Sequence, residues 1–111
     1  MSDCIFCKIL AGEIPSKRVY EDEHCIAFHD VQPAAPVHLL VIPRRHIESL
    51  DSLTPADQEL MGHLMTRVPE IARNQGLEQG YRTVINTGVE GGQTVFHIHI
   101  HILGGRQMTG L

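Results

Sequence analysis

Phe96-His97-Ile98-His99-Ile100-His101-Ile102-Leu103 alternates three histidines with three isoleucines. Successive side chains of a β-strand point to opposite faces. Read as a strand, the segment lines up His97, His99 and His101 on one face and Ile98, Ile100 and Ile102 on the other. In a helix, at about 100° per residue, the same histidines would spread over roughly 200° of arc. The isoleucines are β-branched and suit a strand. One core face of isoleucine and one chemical face of imidazole is therefore expected. Gly91-Gly92 precedes the segment and Gly104-Gly105 ends it. Imidazoles in a row have three uses: a solvated or hydrogen-bonded strand face, a metal site, or a nucleophile with helpers.

Working outward, Val37-His38-Leu39-Leu40-Val41-Ile42, closed by Pro43, is a near-continuous apolar run and reads as a central strand buried on both faces. Its one polar residue is His38. Before it, Arg18 to Glu21 and His24 to His29 flank the tight turn Asp22-Glu23, which suggests an antiparallel hairpin. Asp30-Val31-Gln32-Pro33-Ala34-Ala35-Pro36 is a proline-punctuated loop. Arg44-Arg45-His46 reads as a basic turn. Cys4 to Glu13 reads as a short helix with Asp3 as N-cap, Ile5, Phe6, Ile9 and Leu10 on one face and Gly12 at its end. Thr54-Pro55-Ala56-Asp57 has the form of a capping box with proline at the first helical position. Leu60, Met61, Leu64, Met65, Val68, Ile71 and Ala72 then mark the core stripe of a long helix ending near Gly76. Pro69 lies inside it and predicts a kink or an early end. Tyr81 to Asn86 reads as a further strand, and 87–92 as a loop. The sum is an α+β chain: a five-stranded antiparallel sheet, one long helix and one short one, with the helices on one face and the histidines on the other.

The 111 residues argue for a single domain, 1–111. Hydrophobic residues make up 42% and charged residues 20%, ordinary values for a globular chain. No apolar run reaches the roughly 18 residues of a membrane span. The start, Met1-Ser2-Asp3-Cys4, has no basic region and no long apolar stretch behind it, so a cytoplasmic address is expected. A formal net charge of −4 argues against a polymeric nucleic-acid partner but leaves room for a single nucleotide. The odd cysteine count, Cys4, Cys7 and Cys25, argues against a disulfide framework. Cys4-x-x-Cys7 is half of a zinc site, for which His46 and His97 are candidate partners. For catalysis, His99 is the middle histidine, able to attack phosphorus while its neighbours orient it and carry protons. Backbone N–H groups near Gly91-Gly92 and the side chains of Gln93 and Thr94 are candidate phosphate donors.

Residues 91–108, from Gly91-Gly92-Gln93-Thr94 through the histidines to Gly104-Gly105-Arg106-Gln107-Met108, resemble the signature of the histidine triad (HIT) superfamily. The resemblance is strongest to its nucleotide-binding (HINT) branch. It extends to Ile5-Phe6, Lys8-Ile9, Glu13-Ile14-Pro15, residues 27–31, Pro36, the segment from His38 to Pro43, His46 and Asn86, and so covers nearly the whole chain. It implies an antiparallel sheet with helices, a homodimer whose sheets join, and hydrolysis of purine nucleoside phosphoramidates at the α-phosphorus through a nucleotidyl-histidine. By position, His99 matches the nucleophile, and His38, His97 and His101 match its supporting histidines. Gln93 and Thr94 match residues near the phosphate and leaving group, Asp30 the carboxylate on the ribose hydroxyls, and Asn86 a polar residue beside ribose and phosphate. Ile5, Phe6, Ile14, Phe28, Val31 and Leu40 match the apolar wall of the base pocket. The resemblance also implies a structural zinc on Cys4, Cys7, His46 and His97, and no organic cofactor. Relatives carry a longer tail that shapes leaving-group preference, whereas this sequence ends at Leu111. Two other readings stand beside the enzyme: a non-catalytic nucleotide-binding or scaffolding protein of the same fold, and a metal-binding histidine protein. The intact histidine pattern with His38 favours the enzyme, and a metal protein has no use for Asp30 and Asn86.

Overall fold

The computed structural model describes residues 3–111; Met1 and Ser2, which opened the reading of the N-terminus, lie outside them. The described elements are α1 (Ile5–Leu10), β1 (Arg18–Glu21), β2 (Cys25–His29), β3 (Val37–Pro43), α2 (Gln58–Asn74), β4 (Arg82–Val84) and β5 (Ile100–Gly104), with short 3₁₀ turns at Leu50–Ser52 and Pro55–Asp57. The strands form one sheet in the order β1-β2-β3-β5-β4. Every pairing is antiparallel. The expected α+β class, hairpin and central strand are all present.

The pleat sorts the core into two layers. Cys25, Ala27, Leu39, Val41, Ile100 and Ile102 face α2 and pack on its Leu64, Val68, Ile71 and Ala72. Ile26, Phe28, Leu40 and Ile42 face the other way and pack on Phe6 and Ile9 of α1. The two helices therefore lie on opposite faces, not on one as expected. The register puts His101 opposite Leu40, so His38, Leu40 and His101 share the α1 face. This face is where the imidazoles gather, and α1 covers part of it.

Three expectations about the helices need correction. Cys4, not Asp3, caps α1: its Sγ accepts from the Cys7 N–H at 3.4 Å. Met65, placed on the apolar stripe, is exposed. Pro69 does not end α2, which runs on to Asn74. The bond it removes would have gone to the carbonyl of Met65, on an exposed turn where water can take its place. The capping box at Thr54 is formed, with Asp57 Oδ2 accepting from the Thr54 N–H at 2.9 Å, but its first turn is 3₁₀.

The fourth correction concerns the histidine segment. Regular pairing begins only at Ile100. Upstream of it, Phe96 is 40% exposed while His97 is fully buried, the reverse of the expected alternation. The cause is local. The Ile98 N–H bonds to the carbonyl of Ile47, in the loop after β3, at 2.7 Å. The His97 carbonyl is taken by the ring of His99. Backbone groups spent in this way cannot continue a ladder. The segment ends as expected at Gly105, whose φ of +95° and whose Cβ position, 2.9 Å from Pro36 Cβ, both require glycine.

Candidate functional site

On the α1 face His38 and His101 are hydrogen-bonded to each other and His99 is bonded to a backbone carbonyl, and these bonds fix their tautomers. The Ala34 N–H donates to His38 Nδ1 at 2.9 Å, so the proton of a neutral His38 sits on Nε2. His38 Nε2 lies 2.9 Å from His101 Nδ1 and therefore donates to it. His101 is left with its proton on Nε2, as a donor. His99 Nδ1 stands 2.8 Å from the His97 carbonyl, which only accepts, so His99 carries its proton on Nδ1. Its Nε2 bears the lone pair. The rings of His99 and His101 are 4.9 Å apart. The fold thus sets a nucleophilic nitrogen beside a proton-donating one.

Burial keeps the group neutral. Desolvation lowers the proton affinity of His38, although Asp30 opposes it, with Oδ2 3.5 Å from His38 Nε2. Desolvation likewise lowers His99. For His101, burial and then the neighbouring His99 and His38 push the pKa down to about 4. At neutral pH these rings are bases, nucleophiles and N–H donors rather than cations.

His99 and His101 open into a cavity of about 380 Å³. Its apolar wall includes Ile5, Phe6, Ile14, Phe28, Val31 and Leu40, all of them expected there, and Asp30 and Thr94 also line it. Val31 is 91% exposed, a large apolar side chain left at the rim where a flat ring can cover it. Ile9 and Val95 line the cavity without having been anticipated. Ile9 was readable, since it follows Phe6 on one helix face; Val95 carried no signal.

Two expected phosphate donors and Asn86 are engaged elsewhere. Gln93 is buried and ties its own loop together: Oε1 accepts from the Gly88 N–H, and Nε2 donates to the carbonyls of Glu48 and Val95. Asn86 Nδ2 donates to the Gly91 carbonyl at 2.8 Å. The Gly92 N–H bonds to Val89. These residues shape the Gly91-Gly92 approach rather than line the cavity. Gly91 itself admits no side chain, because a Cβ there would meet the Thr87 carbonyl.

His97 turns away from the other three rings. Its Nε2 donates to the Pro43 carbonyl at 2.9 Å, which leaves the Nδ1 lone pair facing Cys4, Cys7 and His46. Cys4 Sγ is 3.3 Å from His97 Nδ1, Cys7 Sγ 3.4 Å from His46 Nδ1 and 3.6 Å from His97 Nδ1, and the two Nδ1 atoms are 3.2 Å apart. A tetrahedral zinc with bonds of about 2.0 Å to nitrogen and 2.3 Å to sulfur has ligand–ligand edges of about 3.3–3.8 Å. The two thiols, the two imidazoles and the outer carbonyl that orients one of them make a donor set that fits zinc.

A model of the HIT domain matches residues 11–108. The chain belongs to the HIT family. Protein HitA of Neisseria gonorrhoeae is 56% identical over 104 residues, 94% of this chain and 97% of that protein. The crystal structure of a HIT family hydrolase from Legionella pneumophila Philadelphia 1 is similar at a TM-score of 0.94 and 49% identity, covering 96% of each chain. A histidine triad nucleotide-binding protein from Candida albicans is similar at 0.83 and 29%, covering 98% of this chain and 85% of that one. His97 and His99 precede β5, and His101 lies near its start.

One further group of side chains was not anticipated. Asp22 Oδ2 accepts from Tyr20 Oη and pairs with His63 Nε2 of α2, each at 2.7 Å, while Oδ1 accepts from the N–H groups of His24 and Cys25. Burial alone would raise the pKa of Asp22, but the bonds from Tyr20, the His24 N–H and His63 hold it well below the usual carboxylate range. Asp22 had been read only as a turn residue, and His63 had been given no role.

Proposed function

We propose that this HIT family protein hydrolyses purine nucleoside phosphoramidates, or closely related nucleotide conjugates, at the α-phosphorus through a nucleotidyl-His99 intermediate. The observation that carries the reading is the pair of tautomers: bonds at the other ring nitrogens leave His99 Nε2 with its lone pair and His101 Nε2 with its proton, on rings 4.9 Å apart that both line the cavity. The names of the Legionella hydrolase and the Candida nucleotide-binding protein support the class of chemistry.

The base lies between the apolar wall and the Val31 rim, and Asp30 accepts from the ribose hydroxyls. His99 Nε2 attacks the α-phosphorus. The P–N bond to the leaving amine breaks as the amine takes a proton from a solvent water, while His101 Nε2–H donates a hydrogen bond to a phosphate oxygen. The His97 carbonyl steadies the positive charge on His99 through Nδ1–H. Water then attacks the phosphorus, and the proton it releases neutralises the hydroxide left in solvent by the first step. The P–Nε2 bond to His99 breaks and the nucleoside monophosphate leaves. His38, anchored by the Ala34 N–H, keeps Nδ1 of His101 occupied and so holds the proton on the nitrogen that uses it.

A zinc ion on Cys4, Cys7, His46 and His97 would supply a structural clamp and take no part in these steps. β4 pairs with β5 alone among the described strands. We place the homodimer contact at this edge, where two copies would join into one sheet; sedimentation at micromolar concentration tests it.

The test uses a fluorogenic adenosine phosphoramidate. His99→Ala should lose on the order of 10⁴-fold or more in turnover, the scale for removing a nucleophile, while still binding adenosine monophosphate (AMP). Turnover within a few-fold of wild type would remove His99 as nucleophile.

A further inference from the structure

Helix α1 has six residues and is moored at its two ends. At its start, Cys4 and Cys7 belong to the donor set with His46 and His97. At its end, Arg18 Nη2 donates to the Ile9 carbonyl at 2.8 Å. Between these moorings it presents Ile5, Phe6 and Ile9 to the nucleotide cavity.

Phe6 stands inside the Cys4-x-x-Cys7 spacing, so its place is set by the two thiols on either side of it. Its ring is 5% exposed. It meets His97 edge-on at 5.8 Å and His99 at 5.0 Å, the latter with the planes at 90°. Phe28 closes a third side at 5.7 Å. A ring packed on three sides, with only the cavity on its fourth, passes a shift of its helix to His97, His99 and Phe28. His97 gives a second route: its Nδ1 faces the thiols and its carbonyl holds His99 Nδ1–H.

We propose that the Cys4–Cys7–His46–His97 donor set, loaded with zinc, seats α1 and through Phe6 and the His97 carbonyl positions His99, so that nucleotide affinity depends on the metal. The inference rests on the nucleotide-hydrolase reading above. Phe6 is a positioning residue: it acts on the nucleophile through ring packing and on the base through the cavity wall.

The experiment takes the full chain under reducing conditions, zinc-loaded and after removal of zinc by a chelator, with zinc measured by mass spectrometry. AMP affinity is read by calorimetry, and the imidazole resonances of His99 and His63 by NMR. Stripping should weaken AMP binding about ten-fold and move the His99 signals while those of His63, on the far side of the sheet, stay in place. Phe6→Leu should keep its full zinc content, weaken AMP binding by a similar factor and lose little more when stripped, because the two changes act through one contact. Restoring zinc should restore wild-type affinity. Equal AMP affinity in loaded and stripped wild type, additive losses in Phe6→Leu, or failure to bind zinc would overturn the coupling while leaving the hydrolase reading intact. Failure of the loaded wild type to bind AMP would overturn both. If stripping unfolds the chain, loaded Phe6→Leu decides by itself: unchanged AMP affinity and His99 signals overturn the proposal.

Discussion

Histidine serves two different purposes on the two faces of this sheet. On the α1 face, His38 and His99 are buried and His101 is half-buried; His38 is bonded to a backbone amide and to His101, and His99 to a carbonyl. On the α2 face, His63 is half-buried and bonded to the carboxylate of Asp22. Burial keeps these imidazoles neutral even with Asp30 3.5 Å from His38, and their bonds define the tautomers, which suits attack and hydrogen-bond donation. An imidazole on a carboxylate forms a clamp, here tying α2 to the β1–β2 turn. The partner, not the residue type, decides which role it takes.

Substitutions should separate the faces. The largest effect is expected from His101→Ala, which removes an N–H donor to the phosphate: turnover should fall by about 10²–10³-fold, with a modest loss of thermal stability because buried His38 Nε2 loses its acceptor. Retained turnover would mean that another group stabilises the phosphate. Next, Asp22→Ala leaves Tyr20 Oη, His63 and two backbone N–H groups without their acceptor. A loss of about 1–3 kcal/mol in urea unfolding is expected, with kcat close to wild type. A larger loss of activity than of stability would show that the two faces communicate.

Acid should then act in two stages. An unfolded histidine titrates near pH 6.5, while folded His101 titrates at about 4 because of burial and of His99 and His38 beside it. Between these values the unfolded chain binds a proton that the folded one does not, so stability present above pH 6.5 is lost as pH falls toward 4. Asp22 is depressed in the folded state, so its share is full above the unfolded carboxylate range near pH 4 and is lost below it. Urea titrations across pH should show His101→Ala flattening the upper stage and Asp22→Ala the lower. The smallest effect is expected from His63→Ala, about 1 kcal/mol, also without change in turnover.

The pattern of the sequence revealed the strands and the long helix because burial repeats with period. Val37 to Pro43 is apolar on both faces since both are covered, and Thr54-Pro55-Asp57 carries its own start signal. Pairings across the chain left no such trace. Asp22 and His63 are 41 residues apart, and neither breaks a local pattern. The resemblance matches Gln93 and Asn86 to ligand contacts, and only the fold shows that the Gln93 amide and Asn86 Nδ2 also tie together the loop beneath the site.

The sequence by itself determined which residues would be present at the site: alternation of histidine with isoleucine places His101 beside the core wherever the segment pairs, and the two cysteines stand one helical turn apart. Tertiary structure decided what each imidazole can do. A tautomer is set by the atom opposite each ring nitrogen, and here those atoms are the Ala34 amide and the carbonyls of Pro43 and His97. Alternation holds only where a strand has a partner. Before Ile100 the backbone bonds to a loop and to a side chain, and there His97 turns from the row of histidines to the cysteines.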